Sequence, residues 1–274
     1  MNLLDNRNIT CVEYYLLHKL NYQLDIRKLY YKSYIPAYKI YLDLLEKDIH
    51  FTSYDGIVKI QNILMENKML TYKVTSTLNE ANLKNKSLIH LILVNKNFFE
   101  DKKKTTFRKD HYIQVEMHHD KLLMINSYPV LQEEIDMNQL KVYFDNKCLV
   151  YKLLKKDRLT FNKVKAEFIK HLRSIDFLRL PETLEIHKFQ SLIQLLKITR
   201  LRLYDLCCYL KVEKSLINQI NEINKYYENI FLKISMMIIK KKIDSMELKE
   251  IIFKINKYEN ELDEKLRKEF LNEK

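Results

Sequence analysis

Glycine occurs once in the 274 residues, at Gly56, and proline three times, at Pro36, Pro129 and Pro181. A chain with one glycine cannot build the glycine-rich backbone loops that cradle phosphates, so Walker-type and Rossmann-type nucleotide sites are excluded. No apolar stretch approaches the length of a membrane span. The longest candidate, FLKISMMIIKKK at 231–242, falls far short of it. The start, MNLLDNRNITCVEYY, carries no basic segment followed by an apolar run, so no secretory signal is expected. The four cysteines, Cys11, Cys148, Cys207 and Cys208, lack metal-ligand spacing. His118 and His119 are adjacent and face opposite sides of an extended strand, and no H-E-x-x-H pattern occurs, so neither metal nor cofactor is expected. A reduced, cytoplasmic protein with no membrane partner is the simplest expectation.

What is present is the balance of a folded globular chain, with 47% hydrophobic and 31% charged residues. Forty-eight Lys and Arg against 36 Asp and Glu leave a formal charge of +12, which favours anionic partners: nucleic acid, acidic proteins or anionic lipid. The abundance of Lys, Asn, Ile and Tyr also fits AT-biased coding, under which much of the charge is a solvated surface. Nucleic-acid binding rests on charge alone, because no RNP-like strand or zinc knuckle accompanies the 19 tyrosines.

Periodicity divides the chain. Val12, Tyr15 and Leu16, then Tyr38, Tyr41, Leu42 and Leu45, recur at helical spacing, and Ser53 is placed to cap a helix from Tyr54 through Leu64. Strands are expected at LTYKVTS, at the apolar run SLIHLILVNKNFF (87 to about 98), at HYIQVEM and KLLMINSYP either side of a His-His-Asp turn, and at KCLVYKLLK. The segment EDKKKTTFRKD reads as a charged loop. Beyond Thr160 the spacing is helical throughout, with helices expected near 160–177, 182–210, 213–242 and 245–271, Pro181 opening the second and Asp244 with Glu247 capping the last. The reading is α+β, with residues 1–157 as one domain and 158–274 as an appended helical bundle.

Cys11 follows the polar stretch DNRNIT and opens the segment CVEYYLLHKL. At a helix start, unsatisfied N–H groups and the helix dipole favour a thiolate, the form in which cysteine attacks. The bland reading is a small buried hydrophobe. His111 begins one strand and Asn126 ends the next, so a short turn brings them side by side and lets the Asn126 oxygen orient the imidazole. The bland readings here are a strand-edge histidine and a turn-forming asparagine before Ser127-Tyr128-Pro129. Under the functional reading, Cys11 and His111 meet in a cleft between a helix and a sheet.

The order of Cys11 at the first helix and then His111 and Asn126 in DHYIQVEMHHDKLLMINSYP resembles the papain-like peptidases that trim double-glycine leaders. It is more similar to the related butirosin-type acyltransferases and closthioamide-type amide synthetases. The resemblance covers about residues 5 to 155. The Asp-Pro or Asn-Pro pair of those families appears here as Asn126 and Pro129 with two residues between, and the glycine that often follows the peptidase cysteine is absent. It implies Cys11 as nucleophile, His111 as base, Asn126 as orienting group, and Asn6 or Asn8 as an oxyanion donor. It further implies an acyl group arriving on the phosphopantetheine arm of an acidic carrier protein and leaving on an amine. The alternatives are a leader-trimming cysteine peptidase using the same residues, and a basic non-enzymatic nucleic-acid-binding protein.

Overall fold

The computed structural model describes residues 10–48, 54, 56, 59–78, 83–85, 87–102, 111–118, 121–127, 130–154, 157–182 and 184–271. The fold is α+β, with one six-stranded antiparallel sheet and a set of C-terminal helices. The contacts divide it into two compact units. One comprises Thr10–Leu24 and Gln61–Arg158; the other comprises Asp25–Ile60 and the described chain from Leu159 on. The units therefore interleave, whereas the sequence reading kept 1–157 together. Periodicity shows which segments are helical but not which helices share a core.

The sheet unit holds helix α1 (Cys11–Leu20) and strands β1 (Leu70–Thr75), β2 (Leu88–Val94), β3 (Tyr112–His118), β4 (Lys121–Ser127), β5 (Val130–Ile135) and β6 (Phe144–Leu153), in the spatial order β1-β6-β2-β3-β4-β5. Helix α3 (Ile60–Glu66) leads into β1. β3 and β4 form a hairpin in which His118 faces Lys121 and Gln114 faces Ile125. On one face Ile92, Val94, Ile113, Val115, Leu122, Met124, Cys148 and Val150 pack with Phe98 and Phe99 of α4 (Lys96–Lys102) and Leu140 and Tyr143 of α5 (Met137–Tyr143). On the other face Ile89, Leu91, Tyr112, Gln114, Leu123 and Tyr151 are buried as well. Burial on both faces explains why β2 reads as an apolar run interrupted only by His90.

Three local features differ from expectation. The run 87–98 is not one strand: Asn95 ends β2, accepts from the N–H of Asn97 at 3.0 Å and donates to the Val142 carbonyl at 2.8 Å, and α4 begins. β5 and α5 were not expected. VLQEEI, a strand at the sheet's edge, lacks clean alternation, while α5 is started by a capping box between Asp136 and Gln139. The helix expected from Tyr54 begins at Ile60, and its proposed cap, Ser53, lies outside the described residues.

The other unit is helical: α2 (Ala37–Glu46), α6 (Phe161–Arg173), α7 (Ile186–Leu210), α8 (Lys214–Ile239) and α9 (Ser245–Leu271), with a 3-10 turn at Ile26–Tyr30. Pro181 precedes α7 by several residues and does not open it. At the centre the fully buried Arg200 guanidinium donates to Glu259 (Nε to Oε1, 3.0 Å) and to the Ile35 carbonyl at 3.0 Å. It also stacks 4.6 Å from the Tyr34 ring, and the Tyr227 hydroxyl donates to the same carboxylate at 2.5 Å. A buried charge this large persists because each of these partners satisfies it.

Candidate functional site at the end of the β3–β4 hairpin

Thr10 caps α1, its hydroxyl accepting from the Glu13 N–H at 3.2 Å, so Cys11 is the first helical residue. The Cys11 side chain is half-buried at the helix start, where the dipole favours a thiolate. One turn later, on the same side of the helix, Tyr15 is buried and its hydroxyl reaches the end of the hairpin. That oxygen donates toward the carbonyls of Ile125 (3.1 Å) and Tyr112 (3.2 Å) and accepts from the Ser127 N–H at 3.1 Å. Continued by two residues beyond Gln114 and Ile125, the register sets Tyr112 against Ser127, so the phenol occupies the position of the last rung of the ladder. The helix is held a second time where Lys19 meets Glu116 at 2.5 Å. Passing from Lys19 to Tyr15 follows β3 from Glu116 back to Tyr112. One further turn of helix carries Cys11 toward the end where β3 begins and β4 finishes.

His111 and Asn126 lie at that same end. Nε2 of His111 stands 2.7 Å from Oδ1 of Asn126, and both residues are buried. A carbonyl oxygen has no proton to give, so Nε2 bears the hydrogen and the basic lone pair of the neutral ring is on Nδ1. The imidazole is packed by two rings of α4, Phe98 at 6.2 Å and nearly parallel, and Phe99 at 5.4 Å and edge-on. These ring contacts help to fix the orientation of the imidazole.

The pleat makes the geometry specific. His111 and Asn126 belong to the face of Ile113 and Met124, covered by α4, whereas α1 meets the face of Gln114 and Glu116. The cysteine helix and the imidazole therefore lie against opposite faces of the sheet, and the end of the hairpin is the place both elements reach. There the Tyr15 hydroxyl takes the place of a direct rung between β3 and β4.

The electrostatics follow burial. The phenols of Tyr15 and Tyr151 are pushed well above the ordinary tyrosine range chiefly by burial, and a charged Cys11 sulfur adds to the rise in both, which places the sulfur within electrostatic range of each. Tyr15 therefore stays protonated and can keep donating. Burial pushes the Cys148 thiol up to about 12, against the pull of Lys73. Cys207 is raised further by burial, and Cys208 is raised as well. None of these three is a ready nucleophile at neutral pH.

Of the residues singled out in the sequence, the fold brings His111 and Asn126 into contact and sets Cys11 at the start of the helix that Tyr15 and Lys19 hold against the other face of the same hairpin. Asn6 and Asn8 lie outside the described residues. Sequence reasoning missed Tyr15, Phe98 and Phe99. Tyr15 stands four residues after Cys11, a spacing visible in the sequence, but its partners are backbone atoms that only the folded hairpin presents. Among the described residues no cluster of His, Cys, Asp and Glu suits a metal ion, and no helix is long and apolar enough to cross a membrane. No protein-family model, no curated protein and no solved structure matches the chain.

Proposed function

We propose that the sheet unit is a cysteine acyl-transfer domain in which Cys11 accepts an acyl group from a carrier-protein thioester and passes it to an amine. The observation that carries this reading is the buried His111–Asn126 pair at 2.7 Å, which leaves the lone pair of a neutral imidazole on Nδ1 at the strand end beside which α1 starts. In the first step the Cys11 sulfur attacks the thioester carbonyl, its proton passes to Nδ1 of His111, and the departing pantetheine thiolate takes that proton as the C–S bond breaks. In the second step the amine attacks the acyl-enzyme, His111 receives the proton the nitrogen loses, and the Cys11 thiolate leaves. Asn126 holds the ring and stabilises its charged form without exchanging a proton. The net charge of +12 suits an acidic carrier protein, since complementary charge speeds encounter.

Intact-mass analysis after mixing the full chain with an acyl-loaded carrier protein tests the reading. An acyl adduct on Cys11 that is discharged by added amine is the expected result. An adduct discharged only by water would move the assignment to a cysteine peptidase. No adduct, with binding that collapses as salt rises, would move it to a nucleic-acid-binding protein.

A further inference from the structure

The hairpin of α8 and α9 carries apolar side chains that the helical unit does not cover. Leu232, Met236 and Ile239 recur on one side of α8, and Met246 and Phe253 on one side of α9. All are exposed, Ile239 to 78%, Met246 to 73% and Phe253 to 74%. Neither row faces the core, which takes Ile230, Ile234 and Met237 from α8 and Leu248, Ile252 and Ile255 from α9. Nor does either row lie between the helices, where Lys233 pairs with Glu247 and the Tyr226 ring meets that of Tyr258 at 5.1 Å. Both therefore belong to the outward side, and the turn joining the helices adds exposed Ile243.

The charge beside this apolar tip is positive on balance. Lys240, Lys241 and Lys242 follow Ile239 directly and are exposed. The nearby acids are engaged: Asp244 caps α9, accepting from the N–H groups of Met246 at 2.9 Å and Glu247 at 3.1 Å, and Glu247 pairs with Lys233. Glu247 is balanced by Lys233, and Asp244 sets one carboxylate against the three lysines, so the tip keeps a positive excess. Exposed long apolar side chains at the end of a helical hairpin, beside consecutive lysines, match a bilayer interface, where the apolar groups enter the headgroup boundary and the lysines meet anionic lipid.

We infer that the tip of the α8–α9 hairpin, formed by Met236, Ile239, Ile243 and Met246 with Lys240 to Lys242, is a peripheral docking site for an anionic lipid surface. The contact lies in the interface and crosses nothing.

The chain contains no tryptophan, so Ile239→Trp introduces a single reporter at the tip. With the full chain and vesicles of phosphatidylcholine containing phosphatidylserine, its emission should shift to the blue and the protein should co-sediment; with phosphatidylcholine alone neither should occur. Replacing Lys240, Lys241 and Lys242 by Glu should weaken binding by about a hundredfold or more, as should Ile239→Asp combined with Met246→Asp, with unchanged circular dichroism. Equal binding to both vesicle types, or an unshifted emission, would overturn the proposal. So would a dimer in vesicle-free solution that the same substitutions convert to monomer, because a second copy would then cover the tip.

Discussion

The hydroxyl of Tyr15 accepts the N–H of Ser127 at 3.1 Å, joining the cysteine helix to the end of β4. The same oxygen donates to the carbonyl of Tyr112 at 3.2 Å, beside His111. Tyr15→Phe removes the group filling the last rung and leaves buried backbone atoms unsatisfied, at an expected cost of about 1–3 kcal/mol. Urea denaturation measures that cost. On the proposed function the variant should also form acyl-enzyme more slowly, since Cys11 loses the anchor one turn away. Unchanged stability and unchanged acylation together would remove Tyr15 from the site.

Thiol reactivity should separate Cys11 from the other three cysteines. With its thiol held near 12, Cys148 is essentially all thiol at neutral pH, and burial likewise suppresses Cys207. Timed alkylation with iodoacetamide, followed by peptide mapping, should label Cys11 first. Cys11→Ala should abolish acyl adduct formation with little change in melting temperature, while Cys148→Ala should leave the adduct intact. Early labelling of Cys148 would count against the assignment.

The His111–Asn126 pair makes a graded prediction. His111→Ala removes the base and should lower the acylation rate by about 10²–10⁴-fold. Asn126→Ala should lower it less, because it loosens the ring without removing the proton acceptor. Asn126→Asp keeps an oxygen at the same place and adds negative charge, which favours the imidazolium. The acidic limb of the rate–pH profile should therefore move to higher pH. An unmoved limb would show that Asn126 does not act on the group that titrates.

A second histidine should shape stability against pH. Burial, assisted by Lys73, lowers the His90 imidazole from 6.5 to about 4 in the folded state. A depressed histidine binds its proton more weakly folded than unfolded. Its contribution is therefore fully present above pH 6.5, is lost as pH falls from 6.5 toward 4, and levels off below that, amounting to at most about 3 kcal/mol. Half-buried His171 is shifted in the same direction, chiefly by the loss of water around its ring. Urea midpoints between pH 7 and 4 should fall for the parent chain and fall less for His90→Leu. Parallel profiles would refute the assignment.

In the helical unit, Glu259→Ala should cost about 3–5 kcal/mol, because it strands the buried Arg200 charge that the carboxylate neutralises. Thermal unfolding followed by circular dichroism at 222 nm reads the loss. A change below 1 kcal/mol would mean that Arg200 finds another partner or water.

Features that depend on neighbours along the chain are legible before any fold is known. Helical spacing places α6 to α9 within a few residues, because i, i+3, i+4 burial is local. His-His-Asp between two alternating runs places the β3–β4 hairpin, and the hairpin in turn makes His111 and Asn126 close. Capping logic places Cys11 at the start of α1. Features that depend on distant segments emerge with packing. Only it sets the segment Asp25–Ile60 with the C-terminal helices, since an apolar face does not record which core will bury it. The apolar run 87–98 is divided between β2 and α4 by Asn95, whose bond to the Val142 carbonyl joins residues far apart in the chain. Period-2 alternation alone places His111 on the face with Ile113, but that α1 docks on the other face, with Tyr15 reaching the strand end, follows from packing. Local periodicity specifies which way a side chain points from its own strand; what stands opposite it depends on elements that the chain brings back from elsewhere.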